Sequence, residues 1–129
     1  MGQGYLIDTN VIIDYAASRL PQKGSDFVQQ VFNDNFLISV AVKIEVLGFD
    51  DVPDKLLAME EFVDTAVLLP LDEDVTKQAI LLRRKYKKLQ LGDAIIAATA
   101  IVYNLVLISR NTKDFENING LELINPHNV

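Results

Sequence analysis

The chain of 129 residues contains no cysteine and no tryptophan, and only one histidine. Without cysteine there are no disulfides, no thiolate metal sites and no thiol nucleophile. A single histidine, His127, rules out a paired-histidine ribonuclease mechanism. A Ser-His-Asp triad would depend on this one residue near the C-terminus, where a mobile tail is expected. Glycine occurs at only six positions, 2, 4, 24, 48, 92 and 120, with neither the P-loop nor the dinucleotide spacing. No apolar run reaches the roughly 18 residues of a membrane span, and the first residues lack a signal-peptide pattern. The expectation is a cytoplasmic protein with no membrane partner. The length suits one domain, residues 1–129, able to fold on its own core.

The net charge of −6 argues against wholesale electrostatic binding to nucleic acid. The distribution is uneven. Residues 50–74 carry nine acids against Lys55, and residues 77–88 carry Lys77, Arg83, Arg84, Lys85, Lys87 and Lys88 with no acid. The basic stretch reads as a solvated helix face whose charge suits a helix C-terminus. Alternatively, it is a strip beside a polyanion site.

Hydrophobic periodicity alternates strand with helix. Strands are expected at 5–8, 36–39, 67–71, 105–109 and 121–124. Helices are expected at 9–17, 23–33, 42–47, 53–63, 91–103, and from an Asp72 cap to about Lys88. This order predicts an α/β three-layer sandwich, a mainly parallel five-stranded sheet with helices on both faces. Ligands of such sheets bind beyond the carboxyl ends of the strands. Asp8 ends the first strand there. Arg110, Asn111 and Asp114 follow the fourth, and Asp93 opens an apolar helix.

Taken singly, each acid has an ordinary reading. Asp8 is a good helix N-cap, and Asp93 suits a helix first turn. Glu45 reads as an exposed helix residue, Asp114 as a turn residue or the start of a short helical turn, and Asp14 as part of a polar helix face beneath Asn10. Together they have another. Carboxylates within about 5 Å of each other repel by roughly 3 kcal/mol per pair at an effective dielectric near 20, so a cluster must protonate, spread or bind a cation. Oxygen-only ligands favour Mg²⁺ or Mn²⁺.

The segments "LIDTNVIIDY", "SVAVKIEVLGF", "LGDAIIAATA" and "LISRNTKDFENINGLELINP", in that order, resemble a PIN-domain ribonuclease, specifically the VapC-like toxins of type II toxin–antitoxin systems. The resemblance spans nearly the whole chain. It implies the five-stranded parallel PIN-like sandwich and an Mg²⁺- or Mn²⁺-dependent endoribonuclease. The implied reaction is phosphodiester hydrolysis by activated water, leaving 5′-phosphate and 3′-hydroxyl ends. It also implies a cognate antitoxin partner and a homodimer. Asp8, Glu45, Asp93 and Asp114 match the metal-binding and catalytic acids. Thr9, Asn10, Asn111 and Arg110 match supporting or substrate positions, with Asn111 standing where some relatives have an acid. The competing reading is a non-catalytic PIN-fold module that binds nucleic acid or protein. A phosphatase with a nucleophilic Asp is disfavoured because Asn10 occupies the place of its second Asp.

Overall fold

A computed structural model describes residues 3–129. The strands are short: β1 Tyr5–Ile7, β2 Leu37–Ser39, β3 Val67–Leu69, β4 Val106–Ile108 and β5 Leu123–Ile124. Between them run α1 Thr9–Ala16, α2 Gln22–Asn35, α3 Val40–Leu47, α4 Pro53–Val63, α5 Glu73–Lys85, α6 Leu91–Val102 and α7 Thr112–Phe115. A 3-10 turn, Pro126–Asn128, closes the chain. Among the described residues no helix is long and apolar enough to cross a membrane.

The five strands form one sheet in the order β3-β2-β1-β4-β5, with every neighbouring pair parallel. Right-handed crossovers direct the path β1 to β2 to β3 over one face and the return from β3 to β4 over the other. β1 and β4 flank the point where the order reverses, and Ile7 is in register with Ile108. A crevice at this switch point is where α/β sheets take ligands.

The central strands are buried on both sides, which is why they read as continuous apolar runs rather than alternating ones. Leu6, Ile7, Leu107 and Ile108 have no exposed surface. Burying each such side chain contributes about 1.5–3 kcal/mol. The edge strand β3 keeps Val67 and Leu68 exposed. Helix α6 buries Ala94, Ile96, Ala97, Ala98, Thr99 and Ala100, and its small side chains allow close packing on its neighbours. Thr99 avoids an unpaired buried hydroxyl by donating to Ile95 O at 2.7 Å.

Caps set several boundaries. Asp72 accepts from the Val75 N–H at 2.9 Å and from the Tyr103 hydroxyl at 2.7 Å. Those two bonds hold its carboxyl below the usual range. Ser39 caps α3 through the Val42 N–H, so α3 starts directly from β2 at Val40, two residues before the sequence expectation. Helix α5 ends at Lys85 rather than Lys88. Tyr86 turns extended there, and its hydroxyl accepts from the Asn119 N–H at 2.9 Å. Lys87 and Lys88 therefore lie beyond the helix.

Two further expectations are overturned. Asp14 is not on a polar helix face: it is only 1% exposed and pairs with Arg110 and His127 rather than with Asn10. The C-terminal end is not a mobile tail. Its Pro126–Asn128 turn packs on α2, where a Cβ at Gly24 would overlap the Pro126 carbonyl. His127 Nε2 donates to Asp14 Oδ2 at 3.0 Å.

Candidate active site

Asp8 stands between the end of β1 and the start of α1, and it does cap the helix, accepting from the Thr9 N–H at 2.8 Å. Its backbone N–H donates to Ile108 O, which ties it across to β4. Its other oxygen, Oδ2, accepts from Ser109 Oγ at 2.7 Å and from Asn10 Nδ2 at 3.2 Å. The carboxylate is 4% exposed. Burial raises its pKa, and the Glu45 charge adds to this. The Ser109, Thr9 and Asn10 bonds pull the other way, because they stabilise the ionised form.

Glu45 reaches the same place from α3. Thr9 Oγ1 donates to its Oε1 at 2.7 Å, so one residue holds both acids, by backbone and by side chain. Gly92, on the first turn of α6, leaves Glu45 room: a Cβ there would lie 3.4 Å from Oε2.

Asp93 follows Gly92. Burial pushes its carboxyl up to about 6, and the charges of Asp8, Asp114 and Glu45 push the same way. No described residue hydrogen-bonds its side chain, so nothing offsets the repulsion. Asp114, on α7, is held by Asn111 Nδ2 at 2.8 Å. The Asn111 N–H in turn donates to Ser109 Oγ at 3.0 Å. Asn111 thus positions Asp114, and Asp114 contributes the fourth negative charge.

The sheet edge therefore collects four acids expected from sequence, together with Thr9, Asn10 and Asn111. Arg110 joins through its backbone, its N–H donating to Asn10 Oδ1 at 3.0 Å. Ser109 was not expected. It is fully buried and links Asp8, Asn10 and Asn111. Its place at the end of β4, paired beside β1, was the available signal.

Arg83, Arg84 and Lys87 line a groove of about 540 Å³ with Leu71, Ile80 and Leu91. Arg83 donates to Leu89 O.

The donor set suits a hard divalent cation: four carboxylates and no sulfur. Among the described residues no three acidic or histidine side chains close into a ready ligand shell. An ion that retains several waters fits acids spaced this way.

A family model, the PIN domain, matches residues 5–121. Among curated proteins, Ribonuclease VapC of Rickettsia bellii (strain RML369-C) is 31% identical over 127 residues, covering 94% of this chain and 95% of its own. Among solved structures, a toxin–antitoxin complex from Klebsiella pneumoniae superposes with a TM-score of 0.78 at 30% identity, covering 95% of this chain and 98% of that one. VapBC-1 from nontypeable Haemophilus influenzae gives 0.76 at 25% identity, covering 95% and 97%.

Proposed function

The chain belongs to the PIN-domain family and, within it, to the VapC ribonucleases, and from that membership we propose that Asp8, Glu45, Asp93 and Asp114 form the metal-dependent active centre of an endoribonuclease toxin. The observation that carries this is Thr9 bridging Asp8 and Glu45, residues 37 positions apart, opposite the destabilised carboxyl of Asp93. The mutual repulsion of these acids favours a cation among them.

Asp8 and Asp93 would hold Mg²⁺ or Mn²⁺ most directly, with Glu45 and Asp114 binding directly or through water. The ion would supply the Lewis acidity that makes water nucleophilic at neutral pH and would neutralise charge gathering on the phosphate. The residues of the chain do the rest. Ser109 and Asn10 keep the Asp8 carboxylate ionised and aimed. Thr9 fixes the Glu45 rotamer, and Asn111 restrains Asp114. The reaction is an in-line hydrolysis with no covalent enzyme intermediate. Arg110 and the supporting amides face a polyanionic substrate from the rim.

The antitoxin partner would dock on the groove of about 590 Å³ between α1, α3 and α4, lined by Ile13, Val46, Phe49, Met59 and Phe62 and edged by Asp50 and Asp51 against a single Lys55. Apolar walls with an acidic rim suit a basic amphipathic segment. Phe49 follows Glu45 by four residues, so a tail leaving this groove reaches the acids, where an Arg or Lys would pair with them. A second copy of the chain would dock on α5. Its first turn is acidic, with Glu73 and Asp74, and its last is basic, with Arg83, Arg84 and Lys85. Ile80 and Leu81 are exposed between them. A two-fold axis crossing the helix middle sets each acidic end against the partner's basic end.

The test is cleavage of single-stranded RNA with Mg²⁺ or Mn²⁺ by the wild type, Asp8→Asn and Asp93→Asn. Loss of at least about 100-fold in both variants is expected, in line with removal of a preorganised electrostatic group. Equal rates in all three proteins would mean the activity belongs to a contaminant and would favour the binding-module reading.

A further inference from the structure

Among the described residues Asp14 is the one nearly inaccessible carboxylate outside the acidic centre. It receives Arg110 Nη1 on both oxygens, at 3.0 Å each, and His127 Nε2 on Oδ2 at 3.0 Å. The three residues come from α1, the β4–α7 loop and the C-terminal turn. A guanidinium meeting a free carboxylate docks two nitrogens side by side. Here Arg110 engages both oxygens end-on through Nη1 alone, and His127 shares Oδ2 with it. Nη2 and Nε have no partner among the described residues, and the Arg110 side chain is 53% exposed.

The main chain of Arg110 is meanwhile fixed beside the acids. Its N–H donates to Asn10 Oδ1, and Asn10 Nδ2 contacts Asp8. Its neighbour Ser109 donates to Asp8. Arg110 is therefore a permanent cation anchored into the hydrogen-bond network of an otherwise anionic centre, with three N–H bonds uncommitted.

We propose that Arg110 binds, through this free edge, a phosphate of the RNA next to the scissile one, and that Asp14 and His127 are positioning residues that keep the guanidinium end-on. This rests on RNA being the substrate. Asp14 restrains Nη1. Nη1 and His127 together fill the two lone pairs of Oδ2, so a second guanidinium nitrogen finds no acceptor there and the free edge is not drawn into a closed two-point pair. Neither residue touches substrate. The seating of the C-terminal turn on Gly24 brings His127 within reach of Asp14.

The experiment is steady-state cleavage of a short single-stranded RNA at several KCl concentrations, alongside thermal melts. Arg110→Met is expected to raise KM about tenfold with kcat within about threefold, and to make log KM less steep in log salt by about 0.7, the loss of one phosphate contact. His127→Leu should raise KM several-fold, and His127→Gln, which keeps a donor, should restore it. A purely structural role would lower the melting temperature and kcat and leave the salt slope alone. Should Arg110→Met fold poorly, Arg110→Lys serves: an ammonium on Asp14 has no planar second edge for phosphate, so KM should still rise several-fold. Wild-type KM and salt slope in the Arg110 variant would overturn the phosphate contact, and wild-type KM in His127→Leu would overturn the positioning role. Wild type unable to bind or cut RNA would overturn the substrate reading as well.

Discussion

Ser109 Oγ donates to Asp8 Oδ2 at 2.7 Å, joining residues 101 positions apart at the ends of the two strands that flank the sheet's switch point. The same hydroxyl oxygen accepts from the Asn111 N–H, so it couples the first acid to the loop that carries Asp114. Ser109→Ala should leave Asp8 with a higher pKa, because a bond favouring its ionised form is gone. Outer-shell losses of this kind cost about 10–100-fold in metal affinity or activity. Calorimetric Mg²⁺ titration and cleavage rates should both show it, and an unchanged pair would place Ser109 outside the machinery.

Thr9 makes a matching prediction on the other side of Asp8. Thr9→Val keeps the N–H cap but removes the hydroxyl that holds Glu45. Metal affinity should fall about tenfold, while Thr9→Ser stays near wild type. Titration of the two variants side by side decides it.

The pH dependence of stability follows from Asp93. Burial and the neighbouring acids push its carboxyl to about 6 in the folded chain, against the ordinary 3.8. The native state therefore binds more protons than the unfolded state between these values. The site's contribution to stability is complete below the lower value and is lost as pH rises through the upper one. Without divalent ions, Asp93→Asn should melt above wild type at about pH 7.5, with the difference shrinking toward about pH 4. Mg²⁺ or Mn²⁺ should raise the wild-type melting temperature more at the higher pH. A pH-independent difference between the two proteins would contradict the repulsion.

Gly24→Ala tests the seat of the C-terminal turn. The new methyl would overlap the Pro126 carbonyl, a backbone atom that cannot simply rotate away. Overpacking costs about 1–3 kcal/mol, so the unfolding free energy should fall by that amount and the urea midpoint by that amount divided by the m-value. A neutral substitution would mean the turn is free to lift.

Ile80→Glu tests the proposed pairing of α5 with its copy. Ile80 is 46% exposed, so the monomer should keep its fold. A charge at the centre of the two-fold contact should shift the protein to a monomer in light scattering. Arg83→Glu with Arg84→Glu should do the same, and mixing with Glu73→Lys, Asp74→Lys should restore pairs. Dimers in every variant would place the interface elsewhere.

Much of this molecule is legible along the chain. Alternating apolar runs and helical spacings locate the five strands, and Asp72 and Pro53 sit where caps and first turns belong, because these are effects of neighbouring residues. The candidate acids are legible too, as carboxylates placed where apolar segments end. Misplaced features are those decided by partners remote in sequence. Helix α5 stops at Lys85, and Tyr86 reaches Asn119, a contact no local pattern encodes. Asp14 reads as an exposed helix residue until the packed fold brings Arg110 and His127 onto it from 96 and 113 positions away. Residue types and short-range periodicity thus determined the elements and the chemistry available to them. Parallel pairing of β1 with β4, and the seating of α6 and the C-terminal turn, decided which charges meet, because burial and mutual repulsion exist only once distant segments share one crevice.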